Sequence, residues 1–198
     1  MNIDQSRQAE ASSHSQIVHP LHTVYCIGMP KFRNQVARDA ACLLDVDEGV
    51  ESWSCQPRSF SDGTVVHLPD FIVTRNDGDT YAVDIAGQRS IPSWIARAAE
   101  LEGFRYQVWA EADFPPIRLR NAKDLLRYAR VQISLADRLI LLTALKEAGS
   151  LRLSEAITMA SGTKAVPIIS SMILQRLITI DLDAELIGPD SVIRWSQY

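Results

Sequence analysis

The sequence has 198 residues, of which 46% are hydrophobic and 22% are charged, and its formal net charge is −4. This composition is typical of a compact globular protein and excludes a wholly disordered chain. No apolar run approaches the roughly 20 residues that a membrane-spanning helix needs, and the polar segment 1–16 lacks the apolar core of a secretory signal. The negative charge disfavours a protein that coats nucleic acid through bulk charge, but it is compatible with a local basic patch. We therefore expect a cytoplasmic protein without a membrane partner.

Three cysteines, Cys26, Cys42 and Cys55, lie in core-like or strand-like runs. Their odd number and their spacing match neither a disulfide framework nor a zinc site, so we interpret them as reduced thiols. Cys26 is expected to be a core residue rather than a nucleophile, because no histidine or asparagine motif accompanies it.

The first part of the chain combines helical and strand-like segments. Residues 1–20 show no apolar periodicity and are predicted to form a disordered N-terminal arm, and a first domain is predicted over 21–132. Apolar spacing predicts helices over 31–44, 91–101 and 121–131, the last with Asn121 as its cap. β-forming residues predict strands over 24–27, 53–56, 65–68, 71–74, 81–85 and 106–110. Asn76-Asp77-Gly78 predicts a hairpin turn between two of them. This order indicates an α/β or α+β domain whose mixed sheet is covered by helices.

The second part, residues 133–198, has a different pattern. Ser134 is predicted to cap a helix that ends at Gly149, with Leu135, Leu139, Leu142 and Leu145 on its buried face. Two further helices are predicted over 153–160 and 164–177, followed by strands over 178–182 and 192–195. Three helices followed by a β-hairpin are typical of a winged helix, which we expect to fold independently of the first domain.

Two acidic residues lie on neighbouring predicted strands. Asp70 lies at the end of the predicted strand 71–74, directly before Phe71. Asp84 lies within the predicted strand 81–85, which the hairpin turn pairs with strand 71–74. In metal-dependent nucleases such a pair holds Mg²⁺, which neutralises phosphate charge and activates the attacking water. The alternative is a pair of solvent-facing acids at strand ends. We interpret His67 as a strand-face residue rather than a zinc ligand, because no cysteine or histidine lies at ligand spacing.

Several motifs, in this order and spacing, resemble the TnsA-type transposon-end endonucleases of the restriction-endonuclease-like PD-(D/E)XK superfamily. The similarity spans about residues 31–195 and rests on the acidic turn 45–50, Gln56-Pro57, Pro69-Asp70-Phe71, 98–104 and 108–111. The resemblance implies a restriction-endonuclease-like mixed sheet flanked by helices and followed by a small winged-helix domain.

The same resemblance implies an active site from which two groups are missing. The first-helix glutamate of the family falls at Ala37, and Ala86 stands where a lysine should follow Asp84 by two residues. Alanine can neither orient water nor stabilise charge. Gln88 or Arg89 could replace the lysine, but a guanidinium is a poor substitute for an ammonium group. Asp70 and Asp84 are therefore expected to be vestigial catalytic residues and weak metal ligands. No cofactor is expected, and Mg²⁺ is implied only if the site is active.

Residues 89–130 carry eight Lys and Arg against five Asp and Glu, so their net charge is +3, opposite in sign to that of the whole chain. We predict a surface that contacts DNA phosphates. Its candidate residues are Arg89, Arg97, Lys123, Arg127 and Arg130. A solvated helix face is the alternative.

The last predicted helix offers Lys164, Ser171 and Gln175 as candidate contacts to a DNA major groove. This helix is poor in basic residues, and the predicted wing that follows it is acidic. Its acids are Asp181, Asp183, Glu185 and Asp190. These features favour docking to a protein over contact with DNA.

The leading function is a TnsA-like subunit of a DNA transposition or mobile-element complex. It would bind DNA, transposase or ATPase subunits, or both, with little or no nuclease activity, so the missing groups favour a protein that is not an enzyme. One alternative is a divergent Mg²⁺-dependent DNA endonuclease that uses Asp70 and Asp84. The other is a protein-binding regulator with a decayed nuclease fold.

Overall fold

The computed structural model describes residues 18–87, 90–160 and 164–196. The prediction of a disordered arm falls almost entirely on residues outside these ranges, as does the predicted DNA contact of Arg89. No helix in the described ranges has both the length and the apolar character that crossing a bilayer requires.

Both α-helices and β-strands are present in the described residues, which agrees with the predicted α+β class. The helices are α1 Gln35–Val46, α2 Ile95–Leu101, α3 Pro116–Leu126, α4 Leu135–Ala148, α5 Leu153–Met159 and α6 Ala165–Leu174. The strands are β1 Val50–Cys55, β2 Phe60–Ser61, β3 Val66–His67, β4 Phe71–Arg75, β5 Thr80–Ile85, β6 Arg105–Trp109, β7 Ser150–Arg152, β8 Ile178–Ile180 and β9 Val192–Trp195. A 3₁₀ turn, Glu111–Asp113, joins β6 to α3.

A four-stranded mixed sheet forms the centre of the first part, with the strand order β1-β4-β5-β6. The β1–β4 and β4–β5 pairs are antiparallel, and β5–β6 is parallel. The predicted hairpin turn joins β4 to β5, and Gly78 adopts φ 87° there, a conformation that a side chain would disfavour. The parallel β5–β6 pair requires a crossover, which contains α2.

The two faces of this sheet are covered by different helices. Asn34 caps the start of helix α1, because its Oδ1 accepts a hydrogen bond from Ala37 N at 2.8 Å. The apolar side of α1 packs on Phe71 and Val83. Helix α2 packs Ile95 and Ala99 on the other face, in a cluster with Ala82 and Phe60. The predicted arrangement of a mixed sheet between helices is confirmed at this level.

The second part follows the order α4-β7-α5-α6-β8-β9, with an antiparallel sheet β7-β9-β8. Ser134 Oγ accepts from Asp137 N at 3.1 Å, and Gly149 ends α4 at φ 75°, both as predicted. The predicted buried face of α4 is wrong in part, because Leu135 and Leu139 are 71% and 56% exposed while Leu141 and Leu145 are buried. Leu139 and Leu141 are about 200° apart around the helix, and only the Leu141 side meets the rest of the core.

The two parts share a hydrophobic cluster. Cys42, Leu125 and Leu126 of the first part pack with Leu174 and Leu182 of the second. Residues 134–198 alone would expose Leu174 and Leu182 to water. We therefore expect the isolated second part to be less stable than it is within the whole chain.

Asn121 does not cap a helix, in contrast to the prediction. It lies inside α3 and is buried, and its amide nitrogen donates to Leu182 O at 3.0 Å and Glu185 O at 2.9 Å. Its Oδ1 accepts from Ile187 N at 3.0 Å. Asn121 therefore holds the β8–β9 loop, the predicted wing, against the first part.

Candidate functional site

The two predicted site acids lie at one end of the β4–β5 pair. The register aligns Phe71 with Val83, which places Asp70 and Asp84 at facing positions. Asp70 Oδ2 accepts from Ile85 N at 2.9 Å, so the structure ties the first acid to the strand that carries the second.

Asp70 forms a partly buried ion pair. Arg33 Nε lies 2.6 Å from Asp70 Oδ1, and Arg33 Nη2 donates to Leu68 O at 2.6 Å. The Asp70 side chain is 5% exposed, whereas that of Arg33 is 33% exposed. Arg33 thus neutralises a carboxylate that is withdrawn from water.

Asp84 is fully buried and contacts two side chains through the same oxygen. His67 Nε2 and Tyr106 Oη each lie 2.6 Å from Asp84 Oδ2. His67 also meets the edge of Trp94, with ring centroids 6.4 Å apart. The alternative of solvent-facing acids is therefore wrong for both Asp70 and Asp84.

The position predicted for the missing glutamate does not belong to this site. Ala37 is buried in the cluster that contains Phe71 and Val83, and α1 lies over that face. Asp84 lies on the opposite face, because its partner Tyr106 packs with the α2 cluster. A glutamate at position 37 would enter an apolar core.

The acidic pair fits a metal ion poorly. A divalent cation would have to displace the Arg33 guanidinium from Asp70 and the His67 and Tyr106 groups from Asp84. Within residues 18–87, 90–160 and 164–196, no three His, Cys, Asp or Glu side chains are grouped as metal ligands.

Asp45, in the acidic turn of the resemblance, is also buried. Its Oδ1 accepts from Tyr25 N at 3.0 Å and from Trp53 Nε1 at 2.9 Å. Burial raises the pKa of Asp45 despite these hydrogen bonds, which act in the opposite direction. This acid joins the segment before α1 to β1 and does not face the Asp70–Asp84 pair.

The cysteines are free thiols, as predicted. Cys26 packs against the α1 cluster, and its Sγ donates to Ile27 O at 3.8 Å. Interaction with the Cys26 thiol lowers the pKa of Cys55, and burial raises the pKa of Cys42 to about 12.

The candidate DNA contacts are only partly brought together. Lys123 and Arg127 line one cleft of about 560 Å³, together with His19, His22 and Arg120. Arg97 lines a separate depression on α2, and Arg130 is exposed after α3. The predicted helix over 121–131 is wrong in its bounds, because α3 ends at Leu126 and Arg127 is its C-cap.

The three candidates on the last helix have different environments. Ser171 is buried, and its Oγ donates to Val131 O at 2.9 Å, so its predicted position on the exposed face of the helix is wrong. Gln175 is exposed and accepts from Arg138 Nη2 at 2.8 Å. Lys164 is exposed at the start of α6.

Sequence reasoning missed Arg33, His67 and Tyr106 as partners of the acids. Tyr106 could be found only from the parallel β5–β6 register, which aligns it with Ala82 beside Asp84. Arg33 lies 37 residues before Asp70, and no local pattern connects them.

No protein-family model matches this chain, and no curated protein is significantly similar to it in sequence.

Proposed function

We propose that this chain is a TnsA-like subunit of a DNA transposition or mobile-element complex that binds DNA and cleaves it little or not at all. The proposal joins the resemblance in the sequence to one structural observation. The two acids of the nuclease-like motif are engaged by the side chains of Arg33, His67 and Tyr106.

Arg33 supports the absence of cleavage because it supplies the positive charge that a metal would supply beside Asp70. A guanidinium cannot lower the pKa of a bound water molecule as a divalent cation does. The Asp84 carboxylate is completely buried and contacts His67 and Tyr106, so it faces the protein interior rather than a substrate in solution.

DNA binding is supported by the local basic surface. Lys123, Arg127 and Arg120 lie together in a chain whose net charge is −4, so the positive potential is concentrated rather than general. The β8–β9 loop contributes acids, and Asp183 pairs with Arg118 at 2.7 Å. We therefore assign phosphate contact to the first part of the chain.

Duplex affinity measured against salt concentration tests this proposal. We expect binding whose logarithm falls linearly with the logarithm of salt, with a slope of about 0.9 for each phosphate contact. The same duplex and a supercoiled plasmid are then incubated with Mg²⁺ or Mn²⁺. Binding without strand cleavage supports the proposal, whereas cleavage that Asp70→Ala abolishes would establish a divergent endonuclease instead.

A second candidate function is docking to a partner subunit without DNA contact. The exposed apolar side chains of Leu135, Leu139 and Ile140 on α4 favour it, since they form an apolar patch on one helix. A transposase or ATPase subunit of the same complex is the proposed partner. Absence of duplex binding at low salt would favour this candidate over the first.

A further inference from the structure

The cleft between the segment 19–22 and α3 has one wall that the fold holds in place. Arg38, which is fully buried, donates from Nε to Pro20 O and from Nη2 to His22 O, each at 2.7 Å. Gln35 exchanges two hydrogen bonds with the backbone of His19, at 2.7 and 3.1 Å. Two side chains of α1 therefore fix the chain that presents both histidines to the cleft.

The opposite wall is the basic side of α3. Arg120, Lys123 and Arg127 line it with a single acid, Asp124, so these four residues carry a net charge of +2. Lys123 is anchored from α1 by Asp39, with Nζ 2.7 Å from Oδ2. The cleft thus gathers cationic groups and imidazoles within one concave surface.

The two arginines are held side by side but remain available. Asp124 pairs with Arg120 at 3.1 Å and with Arg127 at 3.4 Å, and these arginine side chains are 63% and 66% exposed. Exposed ion pairs of this kind contribute little free energy, so an anion with more oxygens can replace the carboxylate. Phosphate suits this exchange because arginine binds it through two parallel hydrogen bonds.

We infer that this cleft is a phosphate-binding site, in which Arg120 and Arg127 bind the phosphate oxygens and the histidines at 19 and 22 line the facing wall. The ligand chemistry is that of phosphate groups, which either a DNA backbone or a nucleotide could supply. That the phosphate groups belong to DNA rests on the proposed function. That the cleft binds phosphate groups is independent of it.

The test compares two double variants that change the net charge equally. Arg120→Ala with Arg127→Ala alters the cleft, and Arg105→Ala with Arg152→Ala removes two similarly exposed arginines that pair with Asp79 and Asp190 elsewhere. The probes are a DNA duplex, followed by fluorescence anisotropy, and inorganic pyrophosphate, followed by calorimetry. Thermal unfolding confirms that each variant is folded.

We expect the cleft variant to weaken duplex binding about tenfold and to lower the salt slope by about 1.8, with the control variant close to wild type. Asp124→Asn should have the opposite effect and strengthen binding severalfold, because it removes the competing carboxylate. This reversal of sign separates a phosphate site from a merely structural role of α3.

The outcomes distinguish the cleft from the proposed function. If wild-type protein binds pyrophosphate through these arginines but binds no duplex, the site belongs to a nucleotide and the DNA-binding proposal fails. If wild-type protein binds duplex and the cleft variant binds both probes as wild type does, the cleft assignment is overturned and the DNA-binding proposal stands.

Discussion

Removal of the Arg33 cation should destabilise the fold through Asp70. Arg33→Met keeps the length of the aliphatic stem and takes the guanidinium away from a carboxylate that is 5% exposed. Loss of one partner of a fully buried pair costs about 3–5 kcal/mol. Because Arg33 is 33% exposed, water enters where it stood, and we expect a loss of about 2 kcal/mol in the free energy of unfolding.

For a chain of this size the corresponding fall in Tm is about 4–8 °C. Differential scanning fluorimetry then compares the Tm of each protein with and without Mg²⁺ or Mn²⁺. A concentration of about 10 mM is enough to occupy a weak cation site. The divalent cation should raise the Tm of Arg33→Met, which has lost the Arg33 cation beside Asp70, and leave wild type unchanged.

Two controls separate charge from packing. Arg33→Lys keeps a cation and should fall between wild type and Arg33→Met, without rescue by metal. Arg33→Met combined with Asp70→Asn removes both charges and should recover most of the lost stability. If Arg33→Met is as stable as wild type, the ion pair does not hold Asp70 and the reasoning is refuted.

Three further substitutions test other parts of the structure. Asn121→Ala removes the amide that donates to the carbonyls of Leu182 and Glu185, and urea unfolding should show a loss of about 2–3 kcal/mol in the free energy of unfolding. An unchanged free energy would contradict the role of Asn121 in holding the β8–β9 loop. Burial raises the pKa of Asp45 above 3.8, so the folded state holds that proton more tightly and the associated stability is lost as pH rises above 3.8. The stability of Asp45→Asn relative to wild type should therefore increase as pH rises above 3.8 in calorimetric scans, and a difference independent of pH would contradict this. Arg176 has φ 57° and donates from Nη2 to the carbonyls of Asp47 and Val50. Arg176→Gly relieves about 1 kcal/mol of backbone strain but loses charged hydrogen bonds of about 1.5–3 kcal/mol, so chemical denaturation should show net destabilisation rather than a gain.

The features that the sequence predicts correctly are those with a local cause. The turn at Asn76-Asp77-Gly78, the Ser134 cap and the Gly149 helix end each depend on a few neighbouring residues whose backbone preferences are strong. The mixed sheet and the helices on it follow from the order of such segments.

The features that the sequence misplaces depend on contacts between distant segments. Asn121 is a good helix cap by residue type, yet its partners lie more than 60 residues later in the chain. Leu135 and Leu139 have helical spacing, but the side of α4 that becomes buried is decided by the strands and helices that meet it. Ser171 is polar and its spacing predicts a surface position, whereas in the interior its hydroxyl donates to the backbone carbonyl of Val131.

The acidic pair shows both kinds of outcome. The hairpin correctly predicts that the two strands beside Asp70 and Asp84 pair, and their register then places the two acids at facing positions. The sequence does not reveal that each acid has partners inside the protein, since Arg33 and Tyr106 come from other elements. Those partners change the expected chemistry of the pair from metal binding to structure.

The most direct test of the central claim is strand cleavage measured on DNA that the protein has already bound. Protein is added to supercoiled plasmid at low salt, together with a labelled duplex that competes for the same protein. When the anisotropy of the duplex shows that binding is saturated, Mg²⁺ or Mn²⁺ is added. The account predicts that the plasmid stays supercoiled while the protein remains bound. Nicked or linear plasmid that appears with wild type and disappears with Asp70→Ala would contradict it.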